Sequence, residues 1–119
     1  MPPVTHTIKI SLKNQPGGGK GIEMDNPDLE AMGGDTVEWT ADWRQISQFA
    51  VDFCSSNQGK RKPGSPFNQK AFSASSGKAG GKVNANAGGV PPWRYQYAVA
   101  VLGKDGNLYA LDPEIRIRA

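Results

Sequence analysis

A chain of 119 residues has room for one modest core and too little for two, so a single domain spanning 1–119 is expected. Apolar residues at 37%, with 15 Gly and 9 Pro, favour short strands joined by many turns over a helix bundle, and no apolar run approaches the roughly 18 residues of a membrane span. The net charge of +3 is unevenly spread: residues 1–52 hold four Lys/Arg against eight Asp/Glu, residues 53–104 eight against none, and residues 105–119 two against three.

The first residues, Met1-Pro2-Pro3-Val4-Thr5-His6, lack the basic start, apolar stretch and small-residue cleavage site of a secretory signal. The expectation is a cytoplasmic protein, or a secreted one relieved of its signal. The lone Cys54 offers no internal disulfide and leaves the redox compartment open. From His6 to Leu12, Ile8, Ile10 and Leu12 fall at period two, which predicts a half-buried strand ending at the loop Pro16-Gly17-Gly18-Gly19. Gly21 to Asp25 is a candidate second strand and Asn26-Pro27-Asp28 a turn. Leu29 to Met32 fits either one helical turn or the approach to a strand.

Gly33-Gly34-Asp35 is a turn that leads into Thr36 to Thr40, a strand with Val37 and Trp39 on one face. Ile46 to Phe53 brings Phe49, Val51 and Phe53 to a common face and predicts them as core. Residues 55–89 form a long segment rich in Gly, Ser and Lys. A structureless loop of that length is unusual, so short strands are expected around Lys70 to Ala74 and Gly81 to Asn86, anchored by Phe67, Phe72 and Val83. Trp93, Tyr95, Tyr97, Val99 and Val101 alternate strictly and predict one central strand after Pro91-Pro92. Asp105-Gly106 signals a hairpin continued by Leu108 to Leu111, and Glu114 to Arg118 closes the chain with Ile115 and Ile117 inward. Six to eight short strands with little helix and frequent turns amount to an all-β, Greek-key sandwich.

Gly34-Asp35-Thr36-Val37-Glu38-Trp39, the Tyr95-Gln96-Tyr97 pair and the terminal Ile115/Ile117 strand together resemble the cupredoxin-like domain of the plastocyanin and azurin kind. The resemblance implies that the first copper-binding His would fall at Gln48 or Phe49 and the Cys at Val99, with a second His and a Met in the loop that follows. Residues 102–113 contain neither, and copper sites of this kind need two His and a Cys. A copper-free scaffold is therefore expected. One His and one Cys also fall short of a four-ligand zinc site, and no metal or other cofactor is expected.

Other clusters read as structure more readily than as chemistry. His6 and Cys54 lack a third orienting group and a signature around the thiol, so catalysis is not expected; Cys54 reads as a strand-end residue and His6 as exposed. Asp25, Asp28, Glu30 and Asp35 do not follow the EF-hand spacing and read as solvated, capping carboxylates. The glycines at 17–19 and 77–81 lack the strand-to-helix context of a phosphate loop. Lys60-Arg61-Lys62, with Lys70, Lys78, Lys82 and Arg94, could form a basic face for nucleic acid or another polyanion. Trp43-Arg44 and Trp93-Arg94 pair residue types enriched at binding hot spots, although both tryptophans would equally well plug the ends of a sandwich. The leading expectation is a non-enzymatic binding or scaffolding domain for a protein partner or a second copy of itself, through open edge strands. The alternative is carbohydrate or polyanion binding through Trp43 and the basic 60–94 segment.

Overall fold

A computed structural model describes residues 2–53 and 64–119. These residues contain no helix. In chain order their strands are β1 (Thr5–Asn14), β2 (Lys20–Met24), β3 (Glu30–Met32), β4 (Thr36–Ala41), β5 (Ile46–Asp52), β6 (Ala71–Ala74), β7 (Lys78–Lys82), β8 (Trp93–Gln96), β9 (Ala98–Gly103), β10 (Leu108–Leu111) and β11 (Glu114–Arg118). One sheet has the order β2-β1-β4-β7, a second β10-β9-β5-β6, and a smaller third β3-β11-β8. All pairings are antiparallel except β1 with β4 and β11 with β3.

The two four-stranded sheets form a β-sandwich because the period-two apolar residues of each must be buried against something. Ile8, Ile10 and Leu12 from β1 share an inner face with Val37, Trp39 and Ala41 from β4, in a register that sets Ile8 beside Trp39 and Ile10 beside Ala41. On the other sheet Phe49 lies beside Val101 and Val51 beside Val99. Ile46 is out of phase with Phe49 in sequence, yet it is buried too. A register shift between Ile46 and Gln48 turns it inward. At the middle of the core the Trp39 ring lies 5.6 to 6.2 Å from the rings of Phe53, Phe67, Phe72 and Tyr97. Phe67, Phe72 and Val83 are buried, as their apolar character within a polar segment requires.

Several sequence expectations need correction. Eleven strands replace the expected six to eight. The single strand expected from Trp93 to Val101 is divided at Tyr97, whose backbone N–H donates to the Pro113 carbonyl, so that β8 pairs with β11 and β9 with β5. Alternation continues undisturbed through the break because the chain changes sheets without changing which side faces the core. Of the two alternatives left open for Leu29 to Met32 the chain takes the second, with Leu29 buried ahead of the short strand Glu30–Met32. The strand expected at Gly81 to Asn86 lies earlier, at Lys78–Lys82. It is a strand by virtue of the open edge of β4, not by its own composition: a methyl group on Gly80 would run into the Val37 carbonyl, so only glycine permits the close approach. Gly77, at φ +66°, makes the turn into it.

His6, expected to be exposed, is half-buried, with Nε2 2.9 Å from Asp35 Oδ2. Asp35, expected to be solvated, is buried at 7% exposure. It does cap, but internally, by accepting from the backbone N–H of Val4 at 3.1 Å and of Met32 at 3.1 Å.

Burial of Tyr97 gives the fold an alkaline limit. Withdrawal from water pushes its phenol up from 10.0 to about 12, against the smaller opposing effect of the Trp39 indole N–H. A neutral phenol favoured by the fold contributes stability that is complete below pH 10 and is lost as the pH rises toward 12, on the order of 3 kcal/mol in all. Phenolate absorbance and circular dichroism should therefore change together in that range in the wild type. In Tyr97→Phe the loss of structure should move to higher pH.

Candidate functional site

The turn between β4 and β5 is built to hold its shape. The Gln45 side chain clamps β1, accepting from the Leu12 N–H at 3.1 Å and donating to the Leu12 carbonyl at 3.0 Å. Asp42 accepts the Arg44 backbone N–H at 3.1 Å and its guanidinium at 3.0 and 3.2 Å. These hydrogen bonds hold the Asp42 carboxyl below its ordinary value, while the Arg44 side chain remains 88% exposed. Trp43 is half-buried and stacks on Phe49, ring centroids 5.8 Å apart.

Trp93 and Arg94 lie elsewhere. β4 runs from Thr36 toward Trp43, and β5 returns from the same end, where Ile46 pairs with Gly103. β9 leaves the opposite end, where Ala98 pairs with Asp52, and Trp93 precedes it by five residues. The two Trp-Arg pairs thus mark opposite ends of the sandwich. Arg94 is held by Glu114 through 3.0, 3.2 and 3.0 Å contacts, which raise its pKa, and Arg116 adds a second guanidinium at 3.2 Å. Lys60, Arg61, Lys62 and Cys54 lie outside the described residues. Lys70, Lys78 and Lys82 are exposed.

The positions that the copper resemblance singled out fall in the second sheet. Phe49 and Val99 are both core residues, Phe49 pairing with Val101 two positions along β9 from Val99, and Gln48 points outward. β9 runs on through Val99 to Gly103 and turns at Asp105-Gly106 into β10, Gly106 having φ +85°. Among the described residues no three of His, Cys, Asp and Glu are grouped to hold a metal ion.

The outward faces of the two large sheets differ in a way that the sequence reading missed. On the β2-β1-β4-β7 sheet the pairing register places outward Thr7, Lys9, Ser11 and Lys13 from β1, Glu23 from β2, Thr36, Glu38 and Thr40 from β4, and Lys78 and Lys82 from β7. That is the ordinary water-facing side of a sheet buried on one face only. On the β10-β9-β5-β6 sheet the outward rows are Leu108, Leu102 and Gln48, then Ala110, Ala100, Ala50 and Ser73, then Ala98, Asp52 and Ala71. Asp52 is the one charge in these rows. Leu108 is 80% exposed, and Gln48, Ala50, Ala100, Leu102 and Leu108 surround a groove of about 210 Å³. A signal for this face was present in the chain: Ala98, Ala100 and Leu102 occupy the outward positions of a strand whose inward ones are Val99 and Val101, where a solvated strand carries Thr, Lys or Glu.

The chain matches no protein-family model and no curated protein.

Proposed function

We propose that this protein is a non-enzymatic, protein-binding domain carried on a copper-free, cupredoxin-like sandwich. Three features support the scaffold: the chain crosses between the large sheets after β4 and after β6, as Greek-key connections do; Gly34 to Trp39 opens β4; and the positions to which the resemblance assigns copper ligands hold Gln48 or Phe49 and Val99, none of them a copper ligand. The observation that carries the binding role is the outward face of the β10-β9-β5-β6 sheet, a contiguous surface of Ala and Leu on a protein whose other broad face bears Lys, Glu and Thr. Apolar surface concentrated on one face and depleted of charge at its centre is the compositional mark of a contact surface. A polyanion reading has less behind it, because Arg44 and Arg94 already face Asp42 and Glu114 and the two Trp-Arg pairs lie at opposite ends.

A benzophenone cross-linker introduced in place of Ala110, exposed at the β10 edge of that face, tests the role in cells. Covalent protein adducts are expected from position 110 and not from the same group in place of Thr7, on the charged face. Equal yields from the two positions, or none from either, would overturn it.

A further inference from the structure

Building on that reading, we infer that the occupant of the β10-β9-β5-β6 face is a second copy of the same chain, in a two-fold dimer that seats Leu108 of each copy in the groove of the other. Three observations carry the choice.

The face holds both halves of a contact. Leu108 projects from β10 at one corner with 80% of its surface in water. Next to it lies the groove of about 210 Å³ floored by Ala50 and Ala100 and walled by Leu102 and Gln48. Since a water molecule accounts for about 30 Å³, this is space enough for a leucine side chain. A two-fold axis in the plane of the contact, parallel to the strands, carries each Leu108 toward the other copy's groove. A surface that presents a knob beside a matching hole is complementary to itself, which is what an isologous interface requires.

Charge points the same way. Among the described residues Asp52, in the middle of the third row, is the one ionic group of the face, which leaves little to steer or pair a charged peptide or polyanion. An equally neutral sheet face is its natural complement. The charged opposite sheet offers no second apolar face, so the assembly closes at two copies and does not propagate.

The area sets the strength. An axis that brings each Leu108 over the other copy's groove runs between β10 and β9, so the contact covers these two strands and the near side of β5, on the order of 300 Å² per copy and 600 Å² in the pair, the size of a weak, transient interface.

Sedimentation equilibrium of the full chain under reducing conditions tests this, the reductant removing any disulfide through Cys54. The average mass should rise from one chain to two across about 1–100 µM. Ala100→Arg and Leu108→Glu should each weaken dimerisation at least tenfold while leaving the thermal unfolding of dilute protein unchanged, and Thr7→Arg should have no effect. Should Ala100→Arg lower the melting temperature of the monomer, the milder Leu108→Ser should still weaken the dimer several-fold. A chain that stays monomeric at about 500 µM, or a dimer indifferent to all three β9 and β10 substitutions as one paired through strand edges would be, overturns the inference. The cross-link from position 110 separates this inference from the role it rests on. Adducts of twice the chain's mass support both, adducts only with a different protein leave the binding role standing and refute the second copy, and the absence of adducts refutes both.

Discussion

Trp39→Ala is expected to cost about 3–5 kcal/mol, as for other large-to-small aromatic truncations in a core. Against the 5–15 kcal/mol of total stability usual for a domain of this kind, that is enough to leave the variant partly unfolded at 37 °C. The reason is position. Trp39 has no exposed surface and is the hub of the aromatic cluster, edge-on to Phe53, Phe67 and Tyr97 and stacked on Phe72. Phe67 and Phe72 come from the stretch of chain with the fewest apolar side chains, and their rings are 5.4 Å apart in an edge-to-face contact. Removing the indole takes from both the ring that joins them to Tyr97 across the core and opens a cavity that β-strands, pinned by their ladders, cannot close. The indole N–H to Tyr97 Oη distance of 3.4 Å is long, so packing rather than that hydrogen bond dominates the loss. Urea unfolding followed by circular dichroism measures the effect. Trp93→Ala, at a half-buried position, should cost markedly less. Equal losses for the two tryptophans would show that the cluster is not the centre of the core.

Asp35→Ala is expected to cost about 2–4 kcal/mol, because the substitution orphans several donors at once. The carboxylate accepts from the N–H groups of Val4 and Met32 and from His6 Nε2, drawing together the start of β1, the end of β3 and the start of β4. An ionised carboxylate can only accept, so the imidazole carries its proton on Nε2. Burial works to raise the carboxyl's pKa. The hydrogen bonds from His6, Val4 and Met32 outweigh it and hold the group below its ordinary 3.8. A depressed value in the fold means that the unfolded chain takes up the proton first. The contribution is thus complete well above pH 3.8 and is lost as the pH falls through the lower, folded value. Asp35→Asn should be less stable near pH 6 and should lose less of its remaining stability on going from pH 5 to pH 2 than the wild type does. A parallel loss in both proteins would show that other carboxylates govern the acid limit.

The inward half of most strands could be read directly. Val37 and Trp39, Phe49, Val51 and Phe53, and Ile115 and Ile117 are all buried where alternation placed them, because the pleat of a strand turns sequence parity into sides. The turns at Gly17 to Gly19 and at Asp105-Gly106 were equally legible, since positive φ is a property of the residue itself. β7 was not legible in the same way. Ala79, Gly80 and Gly81 have no strand propensity, and they pair because β4 leaves an edge whose N–H and C=O groups need partners. The break at Tyr97 escaped notice for a related reason: parity does not report which sheet a residue belongs to.

The sequence by itself determined that the chain forms an all-β fold, which side of most strands its core must bury, and that it holds too few His and Cys for a blue-copper or four-ligand zinc site. These depend on residue type and on a period of two, both local. Tertiary structure alone decided that His6 meets Asp35 across 29 positions, that the two Trp-Arg pairs part to opposite ends, and that Leu108, Ala100 and Ala50 come side by side on one apolar face. Adjacency between strands is set by long-range pairing register, and a shift of one residue would have turned those alanines and leucines into the core.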